Sequence, residues 1–245
     1  MAGIPQKPLV YSGEDLEAML LAKYYYRWVL RSLAPYIGES VVEVGAGVGS
    51  FSKLLLELGP KQLTLIEPST KMFRLLKKSL SNVKGKIKLD LQHKYLKDVL
   101  PNLKGQRRPD TVIYINVLEH VADDQLEIKR AASILKKHGH LLIFVPAMPS
   151  LYSHFDKNIG HYRRYEKARL ERLCKNGGLQ VIKAIYMDSL GVIPWWLSFR
   201  LIKRKTLSPT VVKLYDALCV PVVRVVESRV HPPFGKNLLL VARKA

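Results

Sequence analysis

The chain is nearly devoid of cysteine. Its 245 residues hold only Cys174 and Cys219, far apart and without metal-ligand spacing. A disulfide framework and a cysteine zinc site are thereby excluded, and a reducing cytoplasmic setting fits. Long apolar runs are also missing. No stretch reaches the roughly 18 consecutive apolar residues that indicate a membrane span, and no continuous apolar segment follows a basic start at the N-terminus, so neither a spanning helix nor an export signal is expected. Acidic residues are scarce, 20 Asp+Glu against 40 Lys+Arg, a formal net charge of +20. Such an excess suits an anionic partner and equally a lysine-rich solvated surface, because net charge speaks to association rather than to fold. Internal repeats and low-complexity segments are absent.

What is present is 48% hydrophobic composition, enough at this length for one good core, and one stretch that organises the rest. In Val41-Val42-Glu43-Val44-Gly45-Ala46-Gly47-Val48-Gly49-Ser50-Phe51, β-branched residues make a strand covered on both faces, and three alternate glycines allow a tight turn where a ligand can press on bare backbone. From Phe51, apolar residues at Leu54, Leu55 and Leu58 predict a helix. A glycine turn between strand and helix is where an open α/β sheet holds its ligand.

Upstream, residues 12–35 carry Leu16, Met19, Leu20, Tyr24, Trp28 and Leu30 at near-helical spacing, with Ser12 or Asp15 as cap, and predict a helix lying over the open end of the sheet as a lid. Downstream come strands at Leu63 to Ile66, Ile87 to Asp90, Thr111 to Ile115 and Leu141 to Val145. Helices between them present Met72, Phe73, Leu75 and Leu76, then Leu126, Ala131, Ile134 and Leu135, to the sheet. Five alternations of strand and helix predict a doubly wound, Rossmann-like sheet with right-handed crossovers. A polar, aromatic loop then runs from Pro149 to Tyr165, a helix over Lys167 to Asn176, and a sixth strand from Leu179 to about Met187. An apolar and basic helical insertion over 189–230 precedes a last strand at 237–243. All of this reads as one domain with its cofactor core at 40–187.

A glycine turn followed by an acidic residue at the end of the next strand, here Glu67, suits NAD, FAD or S-adenosylmethionine, each of which offers ribose hydroxyls to a carboxylate. The dinucleotide fingerprint wants its third glycine at position 50, where this chain has Ser50. Taken with Glu67-Pro68, Asp90-Leu91, Asn116-Val117-Leu118-Glu119-His120 and Asp123-Asp124, the stretch from Glu43 to Phe51 resembles the class I S-adenosylmethionine-dependent methyltransferases across about residues 12 to 187. The resemblance implies a seven-stranded sheet, mostly parallel with an antiparallel last strand, and S-adenosylmethionine as cofactor. It places Glu43, Gly45, Ala46, Gly47 and Gly49 around the amino-acid end, Glu67 and Pro68 at the ribose, Asp90 and Leu91 at the adenine, and Asn116, Val117 and His120 along the cofactor.

The loop with Tyr152, His154, Asp156, His161, Tyr162, Arg163 and Arg164 follows strand five, where substrate should enter. Its donors could clamp a phosphate or carboxylate; alternatively Arg163 pairs with Asp156 or Glu166. If the acceptor is a hydroxyl a base helps; His120, His154 and His161 all lie in loops after strands and could serve, His161 foremost and His120 next, with capping or backbone bonding the other role for His120. In the insertion, Trp195 and Trp196 stand among aliphatics beside Arg200, Lys203, Arg204 and Lys205. Residues 189 to 245 carry ten Lys/Arg against two Asp/Glu, a net of +8. Two expectations follow: contact with an anionic membrane surface or a lipid-linked small-molecule or glycan substrate, or a lid whose apolar face covers the site. The alternatives are a nucleic-acid (RNA) substrate, which the net charge favours but strand four, ending in Asn-Val-Leu-Glu without a flipped-base amine motif, speaks against, and a non-catalytic S-adenosylmethionine-binding subunit. The sequence does not specify an oligomeric state.

Overall fold

A computed structural model describes residues 21–83, 87–104 and 108–245. Its strands are β1 (Ser40–Val44), β2 (Gln62–Ile66), β3 (Lys88–Gln92), β4 (Thr111–Ile115), β5 (His140–Pro146), β6 (Leu179–Met187) and β7 (Asn237–Lys244). They form one seven-stranded sheet in the order β3-β2-β1-β4-β5-β7-β6. Strand β7 runs antiparallel to both β5 and β6, as expected. Because side chains alternate across a strand, Val41 and Val42 enter opposite cores, as do Ile113 and Tyr114. With both faces covered, the central strands read as continuous apolar runs.

One face is covered by α4 (Leu96–Leu103), α5 (Asp124–Ile134) and α7 (Lys167–Asn176). The other carries α1 (Lys23–Leu33), α2 (Ser50–Glu57), α3 (Thr70–Leu80) and α9 (Pro209–Glu227). Two short elements lie between, α6 (His154–Asn158) and α8 (Val192–Trp195), the latter widening into a π-helical turn over Trp196–Leu201. Helix α4 falls in a segment expected to be loop, although Leu96, Val99 and Leu103 sit at helical spacing and are all buried. The inward sets also shift. Leu58, Leu75 and Leu126 are exposed, whereas Leu80 and Ile128 are buried, because each helix is rotated to seat on the sheet twist rather than to hide every leucine.

The expected lid helix, α1, begins at Lys23, and the proposed caps and apolar positions at 12–20 lie outside the described residues. Rather than a loose cover, α1 is part of the core: Tyr25, Trp28, Val29 and Leu33 are buried. Its N-terminus has no local side-chain cap. Instead Asp216 of α9 accepts from the amides of Tyr24 at 2.9 Å and Tyr25 at 2.8 Å. A carboxylate there satisfies two orphan donors and meets the positive end of the helix dipole. Replacement of Asp216 by Ala is expected to cost about 1 to 3 kcal/mol. In a thermal melt that is a fall of roughly 2 to 4 °C per kcal/mol for a domain of this size; an unchanged midpoint would refute the cap.

Candidate active site

Strand β1 has β2 on one side and β4 on the other, so the connections leaving β1 and β4 part at the carboxyl edge of the sheet and open a crevice. The glycine turn forms its floor. Gly45 adopts φ +73°, and a Cβ there would stand 2.4 Å from Cγ2 of Val117, so only glycine lets the two loops approach. Gly47, at φ +57°, would find no atom within 4 Å of its Cβ and leaves its backbone bare to the cavity. The turn is held from β2: Glu67 accepts from the Gly47 amide and from the Ser69 amide, each at 2.8 Å. Burial raises the Glu67 pKa, opposed by these two amides. Beneath, Glu43 is pushed up to about 8 by burial, despite a 2.5 Å hydrogen bond from the Ser52 hydroxyl. At the end of β4, Asn116 takes the left-handed conformation at φ +52°, a geometry its short polar side chain tolerates. There it hydrogen-bonds Tyr26 of α1, whose phenol burial pushes up to about 12.

These residues line a cavity of about 320 Å³. Of the cofactor residues expected from sequence, Glu43, Gly45, Ala46, Gly47, Glu67, Pro68, Asn116, Val117 and His120 face it. Gly49 does not; its turn is packed under α3, where a Cβ would meet Leu76 at 2.8 Å. Asp90 and Leu91 lie on β3 outside the walls, where Asp90 accepts from Gln92, and that end of the cavity is lined instead by Tyr95, Leu96 and Lys97.

The opposite wall is chemical. His161 is nearly buried, and its Nδ1 lies 2.9 Å from Asp156, which also accepts from Arg164 Nε at 2.8 Å. Burial would raise the Asp156 pKa, but the His161 and Arg164 donors outweigh it and hold it below the usual carboxylate range. An ionised partner at Nδ1 makes that nitrogen the donor and leaves Nε2 as acceptor. Burial depresses the His161 pKa, against the pull of Asp156, so the ring is neutral at pH 7. Nε2 points toward Glu119, 3.8 Å away, too far for a direct hydrogen bond. Glu119 is fully buried, both its oxygens lack a hydrogen-bond partner among the described residues, and burial pushes it up to about 8. His120 packs edge-on to His161 with centroids 4.7 Å apart, hydrogen-bonds the Gly160 backbone, and is lowered to about 3 by burial. One donor atom each from Glu119, His120 and His161 falls within 4.8 Å of the others, close enough to surround a hydroxyl oxygen or a divalent cation.

The expected anion clamp is not assembled. Arg163 is bound to Asp124 at 2.6 Å and to the Ala122 carbonyl at 2.7 Å, neither of the acids expected from sequence. Arg164 lines the cavity, but its guanidinium is spent on Asp156 and on the Trp195 ring 4.6 Å away. Tyr152 donates to the His161 carbonyl at 2.7 Å and so positions the loop rather than lining the cavity. His154 and Trp196 are exposed away from the walls, while Tyr162 and Trp195 do line them. Missed by sequence reasoning were Tyr25, Tyr26, Lys236 and Asn237. No local motif marks them: Tyr25 reaches the site because its hydroxyl donates to Asn237 at 2.8 Å, across 212 positions of sequence. Glu119 was legible as part of a motif, though not as a site residue.

The strand order, the glycine turn and the acid on β2 define a Rossmann-like methyltransferase architecture. The family described as a methyltransferase domain matches residues 20–184, and the chain belongs to it. Among solved structures, it resembles an S-adenosylmethionine-dependent methyltransferase from Archaeoglobus fulgidus (TM-score 0.62, 18% identity, 97% of this chain and 100% of that one). It also resembles a cyclopropane synthase from Mycobacterium tuberculosis (TM-score 0.57, 13% identity, 88% and 82%). Among characterised sequences, a ubiquinone biosynthesis O-methyltransferase from Xanthomonas euvesicatoria is 27% identical over 157 residues, covering 59% of this chain and 64% of that enzyme's length. One of the same description from Xanthomonas axonopodis is 27% identical over 190 residues, 72% and 73%.

The protein is therefore an S-adenosylmethionine-dependent methyltransferase. Its residues fit that cofactor: a bare Gly47 backbone between two buried carboxylates offers acceptors for ribose hydroxyls at Glu67 and for an ammonium group at Glu43. When bound, S-adenosylmethionine supplies a methyl carbon made electrophilic by its sulfonium charge. Among the described residues, no helix is long and apolar enough to cross a membrane.

Proposed function

We propose that the enzyme O-methylates a hydroxyl group of a small-molecule or lipid-linked acceptor, with His161 as the base. The observation that carries this is the Asp156–His161 pair: a neutral imidazole, fixed through Nδ1, with Nε2 facing the cavity and Glu119. A hydroxyl seated between His161 and Glu119 gives its proton to Nε2, and Asp156 stabilises the imidazolium that results. Aligning the acceptor and excluding water are the remaining tasks, and the buried wall does both. The similarity to ubiquinone biosynthesis O-methyltransferases supports oxygen as the acceptor atom.

The test is incubation with methyl-labelled cofactor and fractionated cell extract, followed by mass spectrometry of the labelled product. An O-methyl ether or ester is expected, and a product methylated on nitrogen or carbon would remove the assignment. Because burial depresses the His161 pKa, activity should fall on acidification with a half-maximal point below the ordinary histidine value of about 6.5. A half-maximal point above about 6.5 would contradict a buried neutral base. Turnover should also survive chelation of divalent ions, because the base needs its Nε2 lone pair free; loss on chelation with recovery on adding Mn²⁺ or Zn²⁺ would pass the role to a cation on Glu119, His120 and His161.

A further inference from the structure

Helix α9 is amphipathic in the inverted sense. A surface helix normally turns its apolar stripe inward and its charges outward. In α9 the acids point in: Asp216 is 4% and Glu227 8% exposed. Asp216 caps α1, and Glu227 accepts from the amides of Asp188 and Ser189 and from the Ser189 hydroxyl. The stripe facing solvent is Val211, Leu214, Leu218, Val222 and Val225, with Leu214 at 59%, Leu218 at 63% and Val222 at 60% exposure. Helix α8 and the turn ending it add Ile193, Leu201 and Ile202, all about as exposed. An isolated exposed leucine needs no explanation, whereas a stripe running the length of a 19-residue helix does.

The charge around this face selects its occupant. Asp216 and Glu227 are the only acids between residues 189 and 245, so this part of the chain turns no carboxylate to solvent. Arg200, Lys203, Arg204, Lys205 and Lys213 are all exposed beside the apolar residues. An apolar stripe whose own segment, residues 189–245, offers solvent cations and no acidic side chain matches a bilayer with anionic headgroups, whose interface takes up the side chains while its phosphates meet the bases. Spanning is excluded by the inward acids and by Pro221 within the helix, so α9 would lie in the interface plane.

We propose that α9 and the turn ending α8 form a docking surface for anionic phospholipid bilayers. The same insertion lends Trp195 and Leu207 to the cavity walls, so docking would set the catalytic cavity against the membrane. This does not depend on the acceptor atom or on the role of His161.

The test is sedimentation of the full chain with vesicles of phosphatidylcholine alone or mixed with phosphatidylglycerol, read by partition and independent of turnover. Binding to the mixed vesicles should exceed binding to the neutral ones by at least about tenfold, because each basic residue near an anionic surface contributes about fivefold. Leu214→Asp/Leu218→Asp should lower it by at least about tenfold with an unchanged melting midpoint, both side chains being exposed, and Lys203→Glu/Arg204→Glu should weaken the anionic preference without touching the stripe. Failure to bind either vesicle, or unaltered binding by both variants, overturns the proposal. So does a dimer in analytical ultracentrifugation that Leu214→Asp/Leu218→Asp dissociates, which would assign the face to a second copy of the chain.

Discussion

Replacement of His161 by Ala should lower methyl transfer by roughly 100- to 10,000-fold, the usual contribution of a positioned base, while affinity for S-adenosylmethionine changes little. The separation is expected because the His161 ring is held by Asp156 on the loop after β5, with Glu119 3.8 Å from Nε2, whereas Gly47 and Glu67 belong to the turn after β1 and the end of β2. Asp156→Asn should be less damaging than loss of the ring but should change the pH profile, since an amide cannot stabilise the imidazolium as a carboxylate does. Single-turnover rates and calorimetry with the cofactor, run on the same preparations, decide the matter. Full activity in His161→Ala would remove the histidine from the mechanism; loss of cofactor binding together with activity would make it a structural residue of the loop.

The second large effect concerns the turn. Gly47→Leu should weaken S-adenosylmethionine binding by at least about 100-fold, about 2.8 kcal/mol at about 1.4 kcal/mol per decade, and leave the protein folded. A side chain at φ +57° costs about 1 to 2 kcal/mol of backbone strain, which a domain of this size tolerates. With no atom within 4 Å of a Cβ there, the new side chain has nowhere to go but the space above the turn. Gly45→Ala provides the contrast: its methyl group would meet Val117 at 2.4 Å, so its main effect should be on the melting midpoint. Near-normal cofactor affinity in Gly47→Leu would mean that the ligand does not lie against this backbone.

Much of this was legible in the chain. Parallel strands buried on both faces need β-branched and aliphatic runs, which is why β4 was read at its observed limits of Thr111–Ile115 and β1 to within one residue. The turn was legible because three left-handed or close-approach positions in five residues leave glycine as the affordable choice. Helix α4 was less visible, because Pro101 inside it and the loop-like residues on either side mask a short apolar period. The loop from 149 to 165 was expected to face substrate, yet the partners of its arginines were misjudged. Which acid an arginine reaches depends on how the loop folds back, and Asp124, the partner of Arg163, sits 39 positions earlier on α5.

Determined by the sequence itself were the sheet, the glycine turn and a carboxylate for a ribose, because each rests on local rules: alternation along a strand, allowed backbone angles, and an acid at the end of the next strand; the kind of cofactor came from the resemblance. Only the tertiary structure decided the rest. It turned the acids of α9 inward and its valines and leucines outward, set Asp156 behind the His161 ring, and buried Glu119 on the cavity wall beside it. A helical period shows that a stripe exists, but which way the stripe faces is set by what the rest of the fold has already covered.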